Sequence, residues 1–124
     1  MKLVERLDEI NTIQVNEPFI QQIENIYRNE LPEEVKRIVS LSGETMFYND
    51  KPILRGLSNS EILNASEDLE VDFVSQSLLP VFDIGDNDFA AYDFSERCWC
   101  LFNIIDEIKF RKSNSLLTVL AIGD

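Results

Sequence analysis

The chain has 124 residues, of which 44% are hydrophobic and 27% charged, a composition typical of a globular protein rather than a disordered one. This length is enough for one hydrophobic core and too short for two, so we predict a single domain over residues 1–124. No apolar run is long enough to span a bilayer, and residues 1–6 lack the apolar core of a signal peptide. We therefore expect a cytoplasmic protein.

The chain contains no histidine and only four glycines. Histidine is the commonest general base and a common zinc ligand, so the usual machinery of serine hydrolases, cysteine proteases and zinc hydrolases is missing. The glycines lie at 43, 56, 85 and 123, a spacing that does not match the phosphate-binding loops. Any catalysis would therefore depend on carboxylates alone, and we predict no cofactor.

Two cysteines, Cys98 and Cys100, flank Trp99. A disulfide between residues so close along an extended chain would be strained, because their geometry does not fit the bridge. Two thiolates without a histidine also do not complete a zinc site. We interpret them as small apolar residues on one face of a strand.

The net charge of −12 is concentrated in one part of the chain. Residues 56–96 contain no lysine or arginine and ten acidic residues, so this window carries −10 of the −12. Such a surface repels nucleic acid and anionic membranes and attracts basic proteins or cations. The charge therefore fits either a basic protein partner, with no nucleic acid and no membrane bound, or an acidic surface that is only solvated and keeps the protein in solution.

Three helices are predicted before Gly43. The first covers residues 2–10. The second begins after an N-cap at Asn16, has Pro18 in its first turn, and carries an apolar stripe. The third begins at 31–32, has an apolar face, and ends at Gly43 in a left-handed conformation. The stripe of the second helix is Phe19, Ile23, Ile26 and Tyr27, and the buried face of the third is Val35, Ile38 and Val39.

The remaining residues predict strands with short helices between them. Ser58 and Glu61 have the spacing of a capping box, which predicts a short helix through Leu63. Alternating apolar residues around Trp99 lie on both faces of their strand, as in a central strand covered on both sides. The predicted strands cover 45–48, 53–57, 78–84, 89–94 and 98–104, with a short helix or loop over 65–77 and a final helix over 113–121.

The stretch LPVFDIGDNDFAAYDF, residues 79–94, concentrates acidic and amide side chains around Gly85. Its spacing does not match an EF-hand loop from either Asp83 or Asp86, so we predict no metal site. A carboxylate enzyme using Asp83, Asp86 or Asp93 is the less favoured alternative, because carboxylates in turns are usually solvated. The stretch predicts a hairpin, in which Asp93 hydrogen-bonds to the backbone of the next turn.

The order of these elements resembles the SUKH superfamily. The resemblance is carried by LPEEVKRIVSLSG (31–43), by LPVFDIGDNDFAAYDF (79–94) and by the final helix near SNSLL (113–117). It implies an α+β fold, in which one mixed or antiparallel sheet has helices packed against it. It also implies a non-enzymatic role, since bacterial members of the superfamily commonly neutralise toxins, often nucleases, and fungal members regulate cell-wall synthesis.

From the resemblance and the charge we predict an immunity protein that binds a basic, nuclease-like toxin, and we expect a monomer or a weak dimer. A regulatory adaptor in cell-wall or envelope synthesis is the alternative. Loops and turns carry function more often than the elements they connect, so the predicted partner-binding residues are those in the polar segment and the hairpin turn. They are Glu67, Asp68, Glu70, Asp72, Asp86 and Asp88.

Overall fold

The computed structural model of the protein describes residues 3–48 and 51–120. These residues form an α+β fold with one sheet, as the sequence predicts. The strands are β1 (Thr45–Tyr48), β2 (Lys51–Gly56), β3 (Leu78–Gly85), β4 (Asp88–Asp93), β5 (Cys98–Asn103) and β6 (Ile108–Ser113). Each strand pairs antiparallel with the next, so the six-stranded sheet is a meander in the order β1-β2-β3-β4-β5-β6.

Six short α-helices surround this sheet, and a 3₁₀ turn over Ile10–Thr12 follows the first of them. The helices are α1 (Leu3–Asp8), α2 (Glu17–Tyr27), α3 (Glu33–Val39), α4 (Asn59–Leu63), α5 (Ala65–Leu69) and α6 (Leu116–Leu120). No helix in the described part of the chain combines the length and the apolar character needed to cross a membrane.

The predicted helix caps are confirmed. The Asn16 Oδ1 accepts a hydrogen bond of 3.3 Å from the backbone N–H of Phe19 at the start of α2. At α4, the Ser58 hydroxyl accepts from the Glu61 N–H at 3.2 Å, and the Glu61 carboxylate accepts from the Ser58 N–H at 3.0 Å. This reciprocal pair is a complete capping box, which fixes where the chain enters α4.

The predicted apolar stripe of α2 is wrong at one position. Ile26 is 41% exposed, while Phe19, Ile20 and Ile23 are buried. Because successive residues are rotated by about 100° around a helix, burial of Ile20 moves the centre of the buried face away from Ile26. The predicted buried face of α3, Val35, Ile38 and Val39, is confirmed.

The sheet is covered on both faces, as predicted from the residues around Trp99. Trp99 and Leu101 belong to the larger apolar cluster, to which α1, α2, α3, α4 and α6 contribute. Cys100 and Phe102 belong to a smaller cluster formed with the segment 65–73 on the opposite face. Phe73 packs edge-on against Phe102 with ring centroids 5.6 Å apart. Both cysteines are free and buried, which confirms their interpretation as small core residues.

The C-terminal part of the fold differs from the prediction. Residues 108–113 form β6, a strand that we did not predict, and α6 begins at Leu116 rather than at Ser113. Ile108 and Phe110 alternate with Lys109, but the basic residues Arg111 and Lys112 end this pattern. Most of the side chains of β6 are exposed, so the strand has no buried face that its sequence could have revealed. Its pairing with β5 makes β5 an inner strand of the sheet.

Candidate functional site: an acidic surface

The stretch around Gly85 is the tight turn of the β3–β4 hairpin. Gly85 pairs with Asp88, and the two residues between them, Asp86 and Asn87, have φ angles of 57° and 65°. Positive φ at both central residues is the geometry of the two-residue turns that fit the twist of a hairpin. The turn leaves Asp86 exposed, whereas Asp88 is half-buried and accepts a hydrogen bond of 2.8 Å from the Asn103 amide.

The polar segment after α4 carries the other predicted binding residues. Its apolar side chains Ala65, Val71 and Phe73 are buried against the sheet, so its acidic side chains project outward. The side chains of Glu67, Asp68, Glu70 and Asp72 are all exposed. The Asp72 carboxylate accepts a hydrogen bond of 3.1 Å from the Ser75 N–H, and this bond lowers the pKa of Asp72.

Other acids of the window 56–96 have cationic partners. Arg55 bonds to both Glu61, at 2.9 Å, and Asp83, at 3.4 Å. Glu96 pairs with Lys112 at 2.8 Å. In the described part of the chain, no ion pair or side-chain hydrogen bond involves four of the predicted residues, namely Glu67, Asp68, Glu70 and Asp86. These four carboxylates are therefore exposed to solvent and have no cationic partner among the described residues.

Asp93 is the one charged residue in the buried set of the described chain, with a side chain 0% exposed. Its Oδ1 accepts from the N–H groups of Ser95 and Glu96 at 2.9 and 3.1 Å, and its Oδ2 accepts from Lys109 at 2.9 Å. Burial raises the pKa of Asp93, but these hydrogen bonds and the Lys109 charge outweigh it, so the pKa lies below its ordinary value. The predicted hydrogen bonding of Asp93 to the backbone of the next turn is confirmed.

The carboxylates considered for catalysis are not brought together. Asp83 lies beside Phe89 near the turn of the β3–β4 hairpin, whereas Asp93 pairs with Leu78 at the other end. A cleft of about 750 Å³ lies elsewhere, at the C-terminal end of α2, where Arg28 and Arg97 are among the lining residues. None of the six predicted binding residues lines this cleft. Within residues 3–48 and 51–120, no group of three or more potential ligand side chains is arranged to hold a metal ion.

The structure places a segment that we did not predict to bind a partner next to the predicted partner-binding residues. Residues 104–107 connect β5 to β6, and the Ile104 N–H donates to the Asn87 carbonyl at 2.9 Å. The Gln76 amide donates both to the Asp72 carbonyl at 3.1 Å and to the Glu107 carboxylate at 3.3 Å. This connection therefore lies between the β3–β4 turn and the segment that carries Asp72. In the sequence, only the run IIDEI (104–108), in which isoleucines flank two acids, could have indicated it.

No protein-family model matches the chain, and no curated protein or solved structure is significantly similar to it.

Proposed function

We propose that the protein is a non-catalytic, SUKH-like immunity protein that neutralises a basic, nuclease-type bacterial toxin domain by binding to it directly. The observation that carries the proposal is the exposed set Glu67, Asp68, Glu70 and Asp86, for which the described residues provide no cationic partner. These side chains lie on the short helix α5, on the residue that follows it and on the β3–β4 turn, which connect the strands of a sheet that is buried on both faces. A rigid scaffold that presents uncompensated charge on its connections is suited to binding.

The charge also supports the nature of the partner. Surfaces that bind nucleic acid are rich in lysine and arginine, because they must neutralise phosphates. Acidic side chains directed at such a surface increase the association rate and select against partners of the same charge. On this proposal, the inhibitor occupies the phosphate-binding surface of the toxin and so excludes the toxin's substrate.

The proposal is tested with the protein encoded by the gene adjacent to that of this chain. Its C-terminal domain is expressed from an inducible promoter, with and without this chain, and growth is followed. We expect growth arrest when the domain is expressed alone and normal growth when the two proteins are expressed together. We also expect the purified proteins to co-elute as a complex in size-exclusion chromatography.

A neighbouring protein that is not toxic, or that is toxic but neither binds this chain nor is neutralised by it, would overturn the proposal. Neutralisation without a stable complex would contradict direct binding. In that case, turnover of the toxin or its product by the purified chain would indicate an enzyme instead. Neutralisation by binding and neutralisation by enzymatic turnover are distinguished by incubating the purified chain alone with the products that the toxin generates and measuring whether they are converted.

A further inference from the structure

Two large apolar side chains are exposed, one in the connection between β5 and β6 and one at the start of β6. Ile105 is 70% exposed and Ile108 is 57% exposed, although isoleucine is among the most often buried residues. A single exposed apolar side chain needs no explanation, but here two lie within four residues of each other along the chain. Phe110, 37% exposed, lies two residues further along β6 on the same face as Ile108.

The backbone of this connection is fixed by hydrogen bonds. The Asn103 Oδ1 accepts from the N–H groups of Ile105 and Asp106 at 3.0 and 2.9 Å. The same amide donates to Asp88 at 2.8 Å, which ties the connection to the neighbouring hairpin. The isoleucines are thus presented in a fixed position, and a partner that binds them does not have to order a flexible loop.

Acidic side chains lie between the isoleucines in the sequence and on the neighbouring hairpin. Asp106 and Glu107 lie between them in sequence, and the adjacent β3–β4 turn contributes two more acids. Lys109, the next residue along β6, is directed away to Asp93 on the opposite face of the sheet. We define the anchor surface as Asp86, Asp88, Ile105, Asp106, Glu107 and Ile108, a set with four acidic residues and no basic one. The first exposed basic residue along β6 is Arg111, three positions beyond Ile108.

We propose that Ile105 and Ile108 are the apolar anchor through which this protein docks onto a basic, folded protein partner. Apolar side chains at the centre and charged side chains at the rim are the usual arrangement of a protein interface, with the binding energy concentrated at the centre. A second copy of the chain would place two acidic rims against each other, whereas a lysine- or arginine-rich partner complements the rim. The identity of the partner as a basic toxin rests on the proposed function above.

The test compares two variants in which isoleucine is replaced by threonine, a residue that keeps the branched Cβ of isoleucine. The double variant Ile105→Thr, Ile108→Thr changes the anchor, and Ile26→Thr changes an exposed isoleucine on α2. Binding of the purified toxin domain from the adjacent gene is measured by surface plasmon resonance. We expect the double variant to bind at least about 30-fold more weakly, mainly through faster dissociation, because anchors affect residence time more than encounter rate.

The control should bind within about 3-fold of the unaltered protein, and all three proteins should melt at similar temperatures. A double variant that binds within about 3-fold of the unaltered protein would overturn the anchor while leaving the proposed function intact. If the adjacent protein does not bind at all, the proposed function is refuted, and the proposal about the anchor is then tested by crosslinking. For this arm, a photo-crosslinking amino acid is placed at Asp106 or, as a control, at the exposed Gln22 on α2.

In cells of the source organism, we expect position 106 and not position 22 to crosslink to an identified basic protein. The crosslink should be lost when Ile105 and Ile108 are replaced by threonine. No crosslink above the control, a crosslink to an acidic protein, or a crosslink to a second copy of the chain would each overturn the anchor.

Discussion

The ion pair between Asp93 and Lys109 leads to a quantitative prediction about the stability of the fold. Asp93 is fully buried, while the Lys109 side chain is 33% exposed. Replacing Lys109 with methionine keeps most of the aliphatic stem and removes the ammonium group. It leaves the buried carboxylate with two backbone N–H donors, from Ser95 and Glu96, and with no ion-pair partner among the described residues.

The expected cost follows from this geometry. Removing one partner of a buried ion pair costs about 3–5 kcal/mol, because the remaining charge is buried without compensation. We expect the lower end, about 3 kcal/mol, since water at the exposed side of Lys109 can replace part of its contribution. For a chain of this length, the typical entropy of unfolding per residue converts that cost into a fall in melting temperature of about 10 °C.

The matched control is Lys112→Met on the same strand. Lys112 pairs with Glu96, and both side chains are about half exposed, at 44% and 45%. An exposed pair of this kind contributes less than about 1 kcal/mol. Urea denaturation of both variants at neutral pH measures the difference, and the slope of the free energy against urea should stay unchanged.

The pH dependence supplies a second, independent readout. The pKa of Asp93 is lowered in the folded protein, so its ion pair stabilises the fold above the unfolded pKa of about 3.9. That stabilisation is lost as the pH falls through the folded value. In Lys109→Met, only the two backbone N–H donors oppose the effect of burial, so we expect the pKa of Asp93 to be higher than in the unaltered protein. The difference in stability between the variant and the unaltered protein should therefore become smaller below about pH 4. Equal destabilisation by Lys109→Met and Lys112→Met, or a difference in stability that does not change in acid, would refute the reasoning.

Two further predictions concern the thiols and the hairpin turn. Burial, and secondly the charge of Asp93, raise the pKa of Cys100 to about 12, and burial raises the pKa of Cys98. We therefore expect neither thiol to react with iodoacetamide at pH 8 until urea unfolds the protein, and rapid labelling of Cys100 in the folded state would contradict this packing. Calorimetric titration with calcium, magnesium and zinc should show no binding tighter than about millimolar. A sub-micromolar calcium affinity that is abolished by Asp86→Ala would show that the turn is a cation site.

The features that could be predicted from the sequence are those determined by neighbouring residues. The caps at Asn16 and Ser58 are local, because each side chain bonds to a backbone N–H three residues ahead. The β3–β4 turn is also local, since its backbone angles depend on the residues between two apolar runs. The alternation around Trp99 indicated a covered inner strand because both faces of that strand are apolar.

The missed features depend on contacts between distant segments. No side chain of β6 is fully buried, so pairing with β5 decides its structure and no pattern of buried apolar residues in the sequence predicts it. The anchor surface forms because the register places Asp88 opposite Asn103 and because Gln76 reaches Glu107. The sequence also cannot divide the ten acids of 56–96 between those that pair with Arg55, Lys109 or Lys112 and those left for a partner. That division depends on which strands lie side by side.

Charge reversal on the acidic segment tests the central claim most directly. The triple variant Glu67→Lys, Asp68→Lys, Glu70→Lys is compared with Glu5→Lys, Asp8→Lys, Glu9→Lys, which alters exposed acids in and just after α1 by the same total charge. Binding to the proposed toxin domain, expressed from the adjacent gene, is measured by calorimetry at low and high salt, alongside thermal melting.

We expect the first variant to bind about 100-fold more weakly at low salt, with a smaller loss at high salt because ions screen exposed charges. Its stability should change by less than about 1 kcal/mol, since these side chains are exposed and lack partners among the described residues. The control should bind nearly as tightly as the unaltered protein. If the control loses binding while the acidic-segment variant keeps it, the acidic surface is not where the partner binds.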